Sequence, residues 1–153
     1  TVAMLIRRRI PRAEVPGYLI AQFAAAALAA GAVLVLKGDW ELYSLSAPVL
    51  RPGGVILAEF LFTFALIWVI LEVALAPETA GNPFYGVAIG LVVLAGAFAV
   101  GPVSWAAFNP AVSLGLIVTN LLAVADVWMH LVGQLAAAVL VPLVFRLVHP
   151  DAE

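Results

Sequence analysis

The sequence predicts an all-α integral membrane protein, built from inverted repeats and containing short helices that enter the bilayer without crossing it. Three observations favour this class. The chain is 65% hydrophobic and 10% charged, with a mean hydropathy of +1.16. A helix-start signal, Asn109-Pro110-Ala111, lies in an uncharged stretch, and a shift of 112 residues aligns the chain with itself. Together they indicate a membrane bundle with an interrupted helix rather than a soluble domain.

Apolar runs give the elements in chain order. A helix needs about 20 residues to cross the hydrocarbon core. Four segments of a single transmembrane domain, 1–153, meet that length: 13–36, 53–76, 84–104 and 126–148. Two others are too short to cross, because a ten-residue helix rises only about 15 Å, and we expect them to be re-entrant half-helices: 1–10 and 109–120.

The second half-helix has the clearest start signal. Asn109 is a favoured N-cap residue, and Pro110 suits the first helical position because the missing N–H would have no partner there. Irregular backbone at membrane depth persists only where protein buries it or water lines it. Asn109, Pro110 and Ala111 are therefore the candidate pore residues.

Basic residues predict the orientation. If the four spans alternate, one face collects Arg7, Arg8, Arg9, Arg12 and Arg146, and the other only Lys37 and Arg51. Cytoplasmic segments carry the excess of Lys and Arg. We therefore expect a multi-pass protein of the cell membrane with both visible ends in the cytoplasm. The run Arg7–Arg9 is either a topology signal or a site for anionic lipid or a partner.

The internal repeat defines two halves. The shift pairs Ala13 with Ala125, Gln22 with Gln134, and Thr1 with Ser113. Three spans separate equivalent points, and an odd number inverts one half relative to the other. The N-termini of the two half-helices should then meet near the midplane, where their dipoles repel cations and their polar groups can bind water.

Several motifs resemble one family. The chain contains Ala58-Glu59-Phe60, Gly101-Pro102-Val103-Ser104 and Phe108-Asn109-Pro110-Ala111-Val112-Ser113. Their order resembles the aquaporin or major intrinsic protein family, from the half-helix after the first NPA box to the sixth span. The resemblance implies an aquaporin-like bundle, a passive channel for water or small uncharged solutes, and a homotetramer with one pore per subunit. It also implies that spans one and two, and the first NPA box, precede this chain.

The candidate filter departs from that pattern. The family usually places Arg after the second NPA box, where this chain has Val112. The other two visible filter positions correspond to Ala97 and Ala106. Because all three are apolar, we expect a constriction that is wider than that of a strict water channel and that admits solutes of the glycerol, urea and ammonia class. A secondary transporter and a non-conducting structural subunit are the alternatives.

Polar residues inside the spans need partners, because unpaired charges there are costly. By the resemblance, Glu59 accepts hydrogen bonds from the re-entrant backbone; a proton relay is the alternative. Gln22 and Gln134 are expected to support the re-entrant segments through interhelical hydrogen bonds. Glu72 is expected to reach water. For His130 and His149 we expect exposed or interfacial positions, with pH gating as the alternative.

Other functions find no support in the sequence. Cysteine is absent, and the net charge of -2 gives no basic footprint for nucleic acid. Two distant histidines make no metal site, and no catalytic triad, phosphate loop or HExxH pattern occurs. We therefore expect no enzyme activity, no cofactor and no metal.

Overall fold

The computed structural model describes residues 1–37 and 50–150 and is all-α in that part of the chain. Four of its helices are long and apolar enough to cross a membrane, which confirms the predicted fold class. The six α-helices of the described residues are α1 (Val2–Ile6), α2 (Val15–Lys37), α3 (Pro52–Leu75), α4 (Tyr85–Ser104), α5 (Pro110–Val118) and α6 (Val127–Val148).

The first short helix is shorter than the expected range 1–10. It ends at Ile6, and Arg8 then adopts a left-handed backbone with φ 56°. A helix does not continue through a left-handed residue, and Pro11 follows closely. The linker 37–52 falls almost entirely outside the described residues.

Local signals fix where the other helices begin and end. α3 starts with Pro52 at its first position, where the missing N–H costs nothing. α4 ends at Ser104, and its C-cap residue Trp105 has a left-handed backbone. α5 starts after Asn109 with Pro110 at its first position.

α3 and α6 cross in close contact. Gly133 of α6 lies so near α3 that a Cβ atom on it would stand 2.6 Å from the Ile56 carbonyl oxygen and 2.9 Å from the Phe60 backbone nitrogen. α3 and α6 are also the most buried of the four long helices, and α2 and α4 are the least buried by the described residues. The crossing therefore forms the centre of the visible bundle.

The repeat is visible in the backbone. The 3₁₀ turns Arg12–Glu14 and Val124–Asp126 occupy equivalent places before α2 and α6. Arg8 and Asn120, which the 112-residue shift also pairs, are both left-handed, with φ 56° and 58°. α1 packs against α6, and α5 packs against α2. Each short helix thus contacts the last long helix of the opposite half.

Candidate functional site

The start of α5 is a capped helix end inside the bundle. The Asn109 Oδ1 atom accepts a hydrogen bond from the Ala111 backbone N–H at 2.9 Å, and the Asn109 carbonyl accepts one from the Ser113 N–H at 3.0 Å. The cap satisfies one of the N–H groups that a helix start leaves without a partner. Because Oδ1 is engaged by the backbone, the Asn109 amide group is held in one orientation.

The chain reaches this cap through a strained loop. Trp105, Ala106 and Phe108 all have positive φ, at 64°, 52° and 53°. A left-handed backbone costs an L-residue roughly 1–2 kcal/mol, and surrounding contacts must hold such residues in place. The loop therefore depends on the side chains around it.

Glu59 of α3 supplies that support. Its Oε1 atom accepts hydrogen bonds from the Ser104 hydroxyl at 2.6 Å and the Ala107 backbone N–H at 3.0 Å. Its Oε2 atom accepts from the Phe108 backbone N–H at 2.7 Å and the Gln134 amide at 2.8 Å. All four partners are donors, which suits an ionised carboxylate because it only accepts. The fully buried Glu59 thus ties three elements together.

Matching hydrogen bonds occur in the two halves. Gln134 donates to the Ser113 hydroxyl at 3.1 Å, and Gln22 donates to the Thr1 hydroxyl at 2.6 Å. The 112-residue shift pairs both the glutamines and the hydroxyl residues. Each glutamine therefore links a long helix to the start of a short one, at the same place in both repeats.

The expectation for His130 was wrong. Its side chain is fully buried rather than exposed or interfacial, and its Nε2 atom lies 2.7 Å from the Ser104 carbonyl oxygen. A bond to this carbonyl requires the proton on Nε2. The first turns of α6 lie against the end of α4. His130 is therefore buried by contact with another helix, although it is close to the start of its span.

Phe108 fills the space between α3 and α4. Its ring stacks on Phe62 with centroids 5.4 Å apart, and its carbonyl accepts a hydrogen bond from the Thr63 hydroxyl at 3.3 Å. A Cβ atom at Gly96 would stand 2.5 Å from the Phe108 ring. Only glycine allows the ring to lie against α4, so Gly96 fixes the position of the residue before Asn109.

A cavity of about 180 Å³ opens beside Asn109. It is large enough for several water molecules. Its walls are mainly apolar side chains of α2, α3 and α6, and its polar groups include Gln22, Thr63 and Gln134. The starts of both short helices line it, through Thr1, Val2, Ala3, Asn109, Pro110 and Ala111.

The three candidate filter residues lie elsewhere. Ala97 is on α4, Ala106 is in the loop and Val112 is in the first turn of α5; Ala97 and Val112 are exposed and Ala106 is half-buried. None of the three belongs to the wall of the 180 Å³ cavity. They remain candidates for a constriction outside that cavity.

Glu72 and His149 form a second polar group at the end of the bundle. The His149 Nε2 atom lies 3.0 Å from a Glu72 carboxylate oxygen, and His149 contacts the Phe145 ring with centroids 4.7 Å apart. The expectation that Glu72 simply reaches water was incomplete, because α3 and α6 end side by side. Residues 77 apart in sequence meet there.

Sequence reasoning assigned no role to Ser104, Thr63 or Ser113. The structure makes each a hydrogen-bond partner of the site. One signal was available for Ser113, since the repeat pairs it with Thr1 as it pairs Gln134 with Gln22. Among the described residues, no group of three His, Cys, Asp or Glu side chains could hold a metal ion.

Comparison with known proteins gives a consistent family. The sequence model of the family described as Major intrinsic protein matches residues 1–150. Putative aquaporin NIP4-1 of Arabidopsis thaliana is 33% identical over 97% of this chain and 52% of its own. Aquaporin NIP1-1 of Oryza sativa subsp. japonica is 35% identical over 91% of this chain and 49% of the relative's length. Nodulin-26 of Glycine max is 32% identical over 97% of this chain and 54% of the relative's length. The chain spans about half the length of these curated relatives. No solved structure matches it.

Proposed function

This chain belongs to the major intrinsic protein family, and on that premise we propose that it forms a large part of a passive transmembrane channel for water and small uncharged solutes. The permeants proposed beside water are of the glycerol, urea and ammonia class. Two of these relatives are named as aquaporins, which supports a channel rather than an enzyme.

The cavity beside Asn109 carries the proposal. The starts of α1 and α5 both line it, so the N-terminal ends of two helix dipoles lie beside one space that holds several water molecules. The partial positive charge there disfavours cations, while carbonyl and amide groups can replace the hydrogen bonds of water. A mainly apolar wall with few polar groups suits rapid passage, because each solute is held by few groups at a time.

Selectivity is proposed to come from Ala97, Ala106 and Val112. Small or medium apolar side chains leave more room than an arginine and present no guanidinium that a solute must satisfy. With no fixed cation at 112, exclusion of protons and cations depends on the helix dipoles. We expect uncharged solutes larger than water to pass.

The environment of Glu59 argues against a proton-coupled transporter. A relay carboxylate must change partners as it gains and loses a proton. All four hydrogen bonds of Glu59 go to the loop, to Ser104 and to Gln134, so protonation would remove support from the loop. The proposed role of Glu59, with Gln134 and Gln22, is support of the re-entrant segments.

The assembly is also part of the proposal. α2 and α4 are little covered by the described residues, and the relatives are about twice as long as this chain. We propose that two further spans complete the pore wall, that four subunits assemble, and that the protein crosses the cell membrane several times with both visible ends in the cytoplasm.

Flux measurements on the full-length natural protein test the channel. Vesicles are challenged with sucrose and then with glycerol, and shrinkage is followed by stopped-flow light scattering. The Asn109→Asp variant keeps the cap acceptor but adds a negative charge and removes the amide donors. The control is Asn120→Asp, the same substitution at the exposed far end of α5, where Asn120 has a left-handed backbone that Asp tolerates.

We expect water and glycerol flux well above that of empty vesicles, a severalfold loss in Asn109→Asp, and unchanged flux in Asn120→Asp. Flux equal to that of empty vesicles would overturn the channel. An equal loss of flux in both variants would contradict the assignment of Asn109 to the pore.

A further inference from the structure

A second cavity lies at the end of the bundle where α1 and α6 terminate. Its volume is about 510 Å³. We call it the arginine pocket, defined by Ile6, Arg7, Arg8, Arg9, Pro142, Leu143, Arg146 and Pro150. Four of these eight residues carry a guanidinium group, and none is acidic.

Three of its four guanidinium groups have no acidic partner within the described part of the protein. Arg8, Arg9 and Arg146 are exposed, and they form no ion pair with an acidic residue of 1–37 or 50–150. The guanidinium of Arg7 is held over the Phe145 ring, 5.5 Å from its centroid, a favourable cation–π geometry. One arginine of the pocket is thus held against an aromatic ring, and the other three are exposed.

The repeat shows that the fold does not require these arginines. The equivalent turn after α5 is Thr119-Asn120-Leu121, with the same backbone hydrogen bonds and the same left-handed central residue. Asn is suited to that backbone, whereas Arg8 adopts it at some conformational cost. A turn that forms without charge in one half carries three arginines in the other, so the charges serve another purpose.

We propose that the arginine pocket binds the phosphate group of an anionic phospholipid. Guanidinium groups form bidentate hydrogen bonds with phosphate oxygens, and basic pockets between helices at a membrane surface bind anionic headgroups. Apolar surface adjoins the charge: Leu143 and Leu147 of α6 are 51% and 82% exposed. Acyl chains can cover those side chains while the phosphate occupies the pocket, which favours a lipid over a soluble phosphate.

Binding is measured on the full-length protein in detergent. Dioctanoyl phosphatidic acid is titrated into the protein. Dioctanoyl phosphatidylcholine, inorganic phosphate and glycerol 3-phosphate are titrated separately for comparison. Bound lipids are counted by native mass spectrometry, and the thermal unfolding midpoint is recorded in parallel. The pocket variant is Arg8→Asn with Arg146→Gln. Its first change copies the residue at the equivalent turn, so the backbone should fold normally.

Two further variants separate binding from topology and from general surface charge. Arg8→Lys with Arg146→Lys keeps both charges but removes the planar guanidinium groups that form bidentate hydrogen bonds. Arg12→Gln removes one exposed charge from the same end of the bundle, outside the pocket.

Phosphatidic acid should bind and raise the unfolding midpoint of the wild type. Each arginine removed should weaken binding about fivefold, and the two together about 25-fold, at roughly 1 kcal/mol per basic residue near an anionic surface. The lysine variant should fall between, and Arg12→Gln should bind normally. Undiminished binding in the pocket variant, or an equal loss in Arg12→Gln, would overturn the site. Equal protection by inorganic phosphate or glycerol 3-phosphate would overturn the lipid as its occupant.

Discussion

Glu59→Gln is the sharpest test of how the re-entrant loop is held. Each carboxylate oxygen of Glu59 accepts one backbone N–H, from Ala107 at 3.0 Å and from Phe108 at 2.7 Å. A glutamine offers one oxygen and one NH₂ group. Whichever way the amide turns, one backbone N–H then faces a donor instead of an acceptor.

The other two partners can adapt and the backbone cannot. The Ser104 hydroxyl can rotate, and the Gln134 amide can flip, since its buried Oε1 atom has no hydrogen-bond partner in the described structure. The unavoidable loss is one hydrogen bond between a backbone N–H and a charged acceptor. Such a bond contributes about 1.5–3 kcal/mol, and a buried donor left unpaired costs about 1–3 kcal/mol. We expect a destabilisation of about 3 kcal/mol, concentrated in the loop 105–109.

Two measurements on the full-length protein check this magnitude. Thermal unfolding in detergent reports stability, and stopped-flow light scattering of vesicles reports flux through the site that the loop shapes. The matched control is Glu78→Gln, the same substitution at a side chain that is 73% exposed, where stability and flux should not change. If Glu59→Gln unfolds at the wild-type midpoint with wild-type flux, the loop is not held by the carboxylate.

Three further predictions follow from the packing and the filter. Gly96→Ala should displace Phe108, since the new Cβ would stand 2.5 Å from its ring, and both stability and flux should fall. Gly86→Ala, with nothing within 4 Å of the added Cβ, should have no effect on either. Gly133→Ala should lower the free energy of unfolding by about 1–3 kcal/mol, the usual cost of overpacking, because its Cβ meets a carbonyl oxygen of α3 at 2.6 Å; thermal unfolding checks this, with Gly86→Ala as the reference. Val112→Arg should reduce glycerol flux more than water flux, because a large fixed cation narrows the opening, and an equal reduction of both would contradict the assignment of Val112 to the filter.

Buried polar groups show where sequence reasoning succeeds and where it fails. The family resemblance assigned Glu59 the backbone of the re-entrant segment as its partner, and the structure has those bonds. No local pattern could reveal that His130 is buried, because its partner is the Ser104 carbonyl at the end of another helix. The length of α1 was overestimated for a local reason, the left-handed backbone of Arg8, which its residue type does not favour.

By itself the sequence determined the helical class, the four span-capable segments, the helix start at Asn109 and the 112-residue repeat. Hydropathy and capping act within about a helix length, and the repeat follows from comparing the two halves of the sequence with each other. Only the tertiary structure decided which polar groups meet and which cavities they line. The Glu59 contacts join residues 45 to 75 apart in sequence, and such contacts form only when packed helices bring distant side chains within about 3 Å of one another.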